Sequence, residues 1–127
     1  MTNLTHNIKN NGSVIDGEYK IKDGNSNLSL LYYRINKNGN ISLALIYTYR
    51  QYRGQGYATQ LINEFIKQYG DKYDITLECC PFEVRMNGLY KQRQEEVAKF
   101  YEKFGFETSS KEEYPQEYQW EMIRTKK

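Results

Sequence analysis

The chain has 127 residues, of which 39% are hydrophobic, 15% aromatic and 27% charged, with 13 tyrosines and a formal net charge of +2 at pH 7. Such a length fits a single domain with one core of packed layers, and the apolar content excludes a chain that is disordered throughout. The near-zero net charge excludes a broadly cationic nucleic-acid or membrane-surface protein, and no apolar run reaches the roughly 18 residues of a membrane span.

Residues 1–13 are polar, lack both an apolar signal core and an Arg-rich amphipathic pattern, and read as a flexible N-terminal arm ahead of a single domain, 14–127. Val14 to Ile21 and Leu28 to Ile35 read as strands across the turn-rich segment Asp23 to Asn27. Asn36 to Asn40 then leads to a third strand, Ile41 to Tyr49, which completes an antiparallel meander. From Ala58 the period becomes helical: Leu61, Ile62, Phe65, Ile66 and Tyr69 share one face, and Gly70 stands where a helix stops. Tyr73 to Cys79 is a strand again, so a parallel βαβ unit with a right-handed crossover follows the meander.

Residues 81–92 have no period and read as an extended loop. A second helix places Val97, Ala98, Tyr101 and Phe104 on one side and ends at Gly105, after which Phe106 to Thr108 and Tyr118 to Ile123 are closing strands. The expected fold class is therefore α/β, in the sense of a mixed α+β sheet. Cys79 and Cys80 are neighbours, a spacing that strains a mutual disulfide, so a reducing, cytoplasmic setting is expected. One histidine, His6, and a vicinal cysteine pair lack ordinary ligand spacing, and no metal is expected.

The joint between the third strand and the first helix gathers Arg50, Gln51, Arg53, Gly54, Gln55, Gly56, Tyr57, Ala58 and Thr59. A helix start offers unpaired N–H groups and the positive end of the dipole. Glycines just ahead of it let backbone approach an anion, and arginines add charge, so the segment reads as a phosphate cradle, with a plain strand-to-helix turn as the equal alternative on these residues alone. A Walker loop would need Gly-Lys-Ser/Thr where Tyr57-Ala58-Thr59 stands, and a dinucleotide fingerprint would need a third glycine at Thr59. A nucleic-acid surface, with Tyr47, Tyr49, Tyr52 and Tyr57 stacking bases, would leave the run FYEKFGF without a role, so no nucleic-acid partner is expected.

These residues resemble the GNAT superfamily of acetyl-CoA-dependent acyltransferases. Its pyrophosphate loop has the form Arg/Gln-x-x-Gly-x-Gly/Ala, which Arg53 to Ala58 matches; Gln51 to Gly56 matches in an offset register. The first register is preferred because the helix with its Leu61-Ile62 pair follows. A second family motif, ending Leu/Phe-Tyr-x-Lys-x-Gly-Phe, is similar to AKFYEKFGFE at 98–107, and the resemblance runs from roughly residue 28 to the end.

The resemblance implies an N-acetyltransferase that takes acetyl-CoA as cosubstrate and passes the acetyl group directly to a primary amine in a ternary complex. The acceptor would be a small molecule or a peptide or protein amine, with no membrane partner, and the chain would be a monomer or homodimer. By the same resemblance, the joint residues hold the pyrophosphate, and Ile46, Tyr47 and Thr48 lie beside the acetyl and pantetheine groups. Gln94, seven residues before Tyr101, stands where the family often has Asn. Tyr101 would protonate the departing thiolate, the alternative being a purely packing role.

The strand Ile41 to Tyr49 has no carboxylate, although family members often keep a glutamate there. Glu78 on the parallel neighbour is taken as the base, ahead of Glu83 and Glu18, against the plainer reading of a solvated strand residue. Cys79 as an acetyl-carrying nucleophile would need an activating base, and His6 lies in the polar arm. The N-terminal part is too short for the family's usual helical pair. A catalytically degenerate acyl-CoA-binding protein acting as a sensor or interaction module is the alternative function.

Overall fold

A computed structural model describes residues 1–79, 97–108 and 120–127. Its elements are β1 (Thr2–Asn11), β2 (Val14–Asp23), β3 (Ser26–Ile35), β4 (Ile41–Thr48), a short 3-10 turn (Arg50–Tyr52), α1 (Tyr57–Tyr69), β5 (Ile75–Cys79), β6 (Glu107–Thr108) and β7 (Trp120–Arg124). A second helical stretch, here α2, covers 97–102. The strands form one sheet in the order β1-β2-β3-β4-β5-β7-β6, antiparallel except for β4 beside β5. The mixed sheet, with its meander followed by a parallel βαβ unit, is the architecture expected from the sequence pattern.

One expectation is corrected. The N-terminal segment is not a loose arm: Thr2–Asn11 pairs with β2 through ten consecutive residues, from Thr2 opposite Asp23 to Asn11 opposite Val14. Leu4, His6 and Ile8 alternate along it, and Gly12-Ser13 forms the two-residue turn, with Gly12 at φ +73°. A strand of mostly polar residues is held here because Leu4 and His6 lie in register with buried Ile21 and Tyr19 on the core-facing side.

The core lies on the side of the sheet that α1 covers. Leu61, Ile62 and Phe65 of α1 are fully buried, and Tyr69 nearly so, against Tyr19, Ile21, Leu31 and Tyr33 of the meander and Ile41 and Ile75 of the parallel pair. Each such side chain contributes about 1.5–3 kcal/mol relative to remaining exposed. Gly17 belongs to this packing: a Cβ there would meet the Tyr33 ring at 2.0 Å, so the ring lies flat across the strand where a side chain would stand. Tyr33 Oη hydrogen-bonds Tyr69 Oη at 2.6 Å and His6 Nε2 at 2.6 Å, and the His6 ring stacks on Tyr19 at 4.0 Å. These contacts tie β1, β2, β3 and the end of α1 together. Among the described residues, no helix is long and apolar enough to cross a membrane.

Candidate functional site

Strand β4 is where the sheet opens. It pairs with β5 only through Ile41, Ser42 and Leu43, opposite Ile75, Thr76 and Leu77. On its other side the register to β3 shifts: Tyr33 is opposite Leu43 and Tyr32 opposite Leu45, which leaves Ala44 as an extra, exposed residue. Such a bulge bends its strand and interrupts pairing. Past Ala44, β4 continues to Thr48 with β3 beside it, and among the described residues no further β5 pairing is made. Ile46, Tyr47 and Thr48 lie beyond the last described β4–β5 pair, and each is half-buried.

The end of β4 is fixed by polar contacts. Ser29, fully buried in β3, donates its hydroxyl to the Tyr47 carbonyl at 3.0 Å and meets Thr48 Oγ1 at 2.8 Å. Arg53 donates Nε to the Thr48 carbonyl at 2.8 Å, and its guanidinium carbon lies 5.5 Å from the centre of the Tyr47 ring. The arginine is thereby folded back over the strand end, with its charge kept at the mouth.

From there the chain makes the 3-10 turn of Arg50–Tyr52 and reaches two glycines in the left-handed region, Gly54 at φ +80° and Gly56 at φ +82°. A Cβ at either would meet nothing within 4 Å. Gly56 is the N-cap of α1. No side chain caps this helix, its first turn carries no acidic residue, and its first hydrogen bond runs from Gln60 N–H to the Gly56 carbonyl at 3.0 Å. The N–H groups of Tyr57, Ala58 and Thr59 thus stand at the positive end of the dipole ahead of that bond. Arg50, Gln51, Gln55 and Thr59 are exposed around it, and Tyr57 and Ala58 are half-buried. A diphosphate fits this donor set: clustered backbone N–H groups, two bare glycines and two arginines.

The geometry accommodates both loop registers. The backbone needs glycine at 54 and 56, the two glycine positions of Gln51 to Gly56, whereas Ala58 already lies inside the helix. Positive φ favours glycine at 54 and 56 on backbone grounds, and Ala58, inside the helix, satisfies the Gly/Ala position that closes the preferred register, Arg53 to Ala58.

Other residues anticipated from the sequence are placed unevenly. Tyr101 sits in α2 with 8% of its surface exposed, edge-on to Phe100 at 5.3 Å and to Phe106 at 5.8 Å. Its carbonyl accepts N–H bonds from Phe104 and Phe106 around Gly105, which has φ +94°. Glu78 occupies the β5 position immediately past Leu77, the last residue paired with β4, and lies opposite Glu121 of β7. It therefore stands, in register, where the two strands begin to part. Glu18 is in β2, with Oε1 3.5 Å from Lys20 Nζ. Gln94, Glu83 and the expected 81–92 loop lie outside the described residues. His6 is engaged with Tyr19 and Tyr33 on the core side rather than lying in a loose segment.

Sequence reasoning missed three features: the bulge at Ala44, the Arg53 bond to Thr48, and Arg124. Arg124 donates Nε to the Phe104 carbonyl and Nη1 to the Gly70 carbonyl, both at 2.9 Å, so one guanidinium finishes the ends of both helices. Nothing local in the sequence signals such a bond, since its partners are 20 and 54 residues away.

Comparison with known proteins adds the following. The sequence profile of the acetyltransferase (GNAT) domain matches residues 14–108. No curated protein matches the sequence. Among solved structures, a GNAT family acetyltransferase from Elizabethkingia anophelis with acetyl-CoA bound is similar, at TM-score 0.62 and 15% identity, over 87% of this chain and 76% of its own. The ribosomal-protein-S18-alanine N-acetyltransferase from Escherichia coli is similar at TM-score 0.62 and 14% identity, over 85% of this chain and 67% of its own. An acetyltransferase from Thermus thermophilus is similar at TM-score 0.61 and 12% identity, over 87% of this chain and 64% of its own. The chain thus spans less than two thirds of the Thermus protein. At these identities the likeness is one of fold.

Proposed function

This chain belongs to the GNAT acetyltransferase domain family, and from that premise we propose that it is an acetyl-CoA-dependent N-acetyltransferase that acetylates a primary amine by direct attack. One observation carries the proposal: the parting of β4 from β5 beyond Leu43 opens beside an uncapped helix start with bare glycines at 54 and 56. This supports a thioester site beside the parting strands and a diphosphate site at the helix start.

In this reading the N–H groups of Tyr57 to Thr59, with Arg50, Gln51, Arg53 and Gln55 around them, hold the pyrophosphate of the cosubstrate. Bound acetyl-CoA supplies an activated acetyl thioester. The backbone of Ile46 to Thr48, without a β5 partner among the described residues, provides N–H donors toward the carbonyl oxygen on which negative charge develops. Glu78, at the branching point of the two strands, takes a proton from the attacking amine, directly or through water. Tyr101 gives its phenolic proton to the sulfur as the carbon–sulfur bond breaks and the carbon–nitrogen bond forms. Gln94 is assigned to the cosubstrate by resemblance alone. The acceptor is a small-molecule amine or a peptide or protein amine, and the setting is the reducing cytoplasm.

A second reading, an acyl-CoA-binding module without turnover, is favoured by the absence of any carboxylate in Ile41–Thr48. Free-thiol release from acetyl-CoA across amines, polyamines and lysine peptides separates the two. The transferase reading expects release with at least one amine and a fall of about 100-fold in kcat for Tyr101→Phe with cosubstrate affinity retained. Binding without release across the panel sustains the module, and full activity in Tyr101→Phe removes the acid role from that residue.

A further inference from the structure

Strand β1 closes the sheet on one side, and among the described residues nothing pairs with its outer edge. Natural sheets protect such edges by keeping them short, or with charges, prolines or bulges. β1 has little of this. It runs for ten residues, its register to β2 is unbroken, it contains no proline, and Lys9 is its only formally charged side chain. It also carries an exposed apolar side chain: Ile8, opposite Gly17, is 59% exposed.

The hairpin fixes which backbone groups face outward. A two-residue turn closes on a hydrogen-bonded pair, here Asn11 with Val14, and bonded and non-bonded pairs alternate from there. The odd-numbered residues of β1 therefore bond to β2. The N–H and C=O groups of Leu4, His6, Ile8 and Asn10 point away from the sheet, unpaired by it.

We propose that β1 is a homodimer interface: two copies join antiparallel through their β1 edges, with the two Ile8 residues facing each other across the dyad, to form one continuous sheet. The register follows from charge. Centring on Ile8 sets His6 against Asn10 and Lys9 against Asn7, and the β2 neighbour of Asn7 is Glu18. Each lysine thus approaches an acidic residue of the other copy. Centring on Lys9 would place the two lysines directly opposite, a destabilising pair. Centring on Asn7 would set Lys9 against Thr5, whose β2 neighbour is Lys20. Only the Ile8 register removes the exposed apolar side chain from water and opposes unlike charges at once. It is a closed, two-fold arrangement.

Ile8→Pro tests the proposal cleanly. Proline at 8 deletes one outward N–H and leaves the ladder to β2, which uses residues 7 and 9, untouched. Sedimentation equilibrium of the wild-type chain should give a particle of twice the 15.2 kDa chain mass, dissociating on dilution. Ile8→Pro and Ile8→Lys should each shift it to monomer with the circular dichroism spectrum kept. In a chain with Cys79 and Cys80 replaced by serine, Ile8→Cys should crosslink to dimer on oxidation and Leu4→Cys should not. A wild-type monomer at all concentrations overturns the proposal, as does a dimer that survives both Ile8 variants. A monomer whose Leu4, His6, Ile8 and Asn10 amides become protected only on adding an extended peptide overturns it in favour of a peptide strand at the same edge.

Discussion

At its C-terminal end, helix α1 is finished by the protein. The Gly70 carbonyl accepts from Arg124 Nη1 at 2.9 Å and from the Lys127 N–H at 3.1 Å, and a Cβ at Gly70 would lie 2.8 Å from the guanidinium. Tyr69, one residue earlier, is locked to Tyr33 and through it to His6. At its N-terminal end the same helix is left unfinished: no side chain caps it, and the two glycines before it face empty space. A protein that fills one end with partners 36 and 54 residues away, and leaves donors open at the other, divides one helix into a structural half and, on the proposed function, a binding half. Glycine serves opposite purposes at the two ends. At Gly70 it permits close packing, and at Gly54 and Gly56 it keeps space clear.

Substitutions at the two ends should separate affinity from stability. Gly56→Asp puts a side chain and a negative charge into the cradle. Losing charge-assisted bonds of about 1.5–3 kcal/mol should weaken acetyl-CoA binding by roughly 100-fold in a calorimetric titration. The melting temperature should change little beyond the strain of a non-glycine residue at positive φ. Arg124→Ala at the other end should do the reverse, destabilising by about 2 kcal/mol in urea unfolding because it strips donors from two helix-end carbonyls, with acetyl-CoA affinity unchanged. If Arg124→Ala weakened binding as much as Gly56→Asp, the two halves would not be independent.

Gly17→Ala probes the structural half one layer deeper. The added methyl would displace the Tyr33 ring and with it the hydroxyl bonds to Tyr69 and His6, at a cost of about 1–3 kcal/mol from overpacking. Again, cosubstrate affinity should stay fixed. The smallest effect is one of pH. Burial lowers the His6 pKa below 6.5, so the unfolded chain takes up its proton first as pH falls. The neutral ring's contribution is fully present above that value and is lost as pH drops through it toward the lower folded value. Urea unfolding between pH 8 and pH 5 should show this loss in the wild type and a flatter profile in His6→Gln. Asp16, held below its usual range mainly by the hydrogen bond from Arg34, acts only at more acidic pH, so its contribution stays out of that window.

The binding half of α1 was legible in the sequence because its signals are local: Gly54, Gly56, the arginines and the apolar period from Leu61 lie in one continuous stretch. The left-handed conformation of both glycines needed the backbone to be seen, since Ala58 and Gly56 satisfy the same pattern. The structural half was largely illegible. Arg124 and Gly70 meet through tertiary contact, and His6 finds Tyr33 only once β1 folds back on β2. The β1 hairpin itself had a local signal in Gly12-Ser13 between alternating residues, but the surrounding asparagines and lysines outweighed it. The bulge at Ala44 is a register shift between β3 and β4 and leaves no mark on the composition of either strand.

The most direct measurement is a nitrogen–proton NMR titration of the chain with acetyl-CoA, following the backbone amides at both ends of α1. A cradle at the helix start predicts large shifts at Gly54, Gly56, Tyr57 and Ala58, with Gly70, Phe104 and Phe106 unmoved. Saturable binding that leaves Gly54 to Ala58 unshifted would place the diphosphate elsewhere and contradict the division of α1 into a binding end and a structural one.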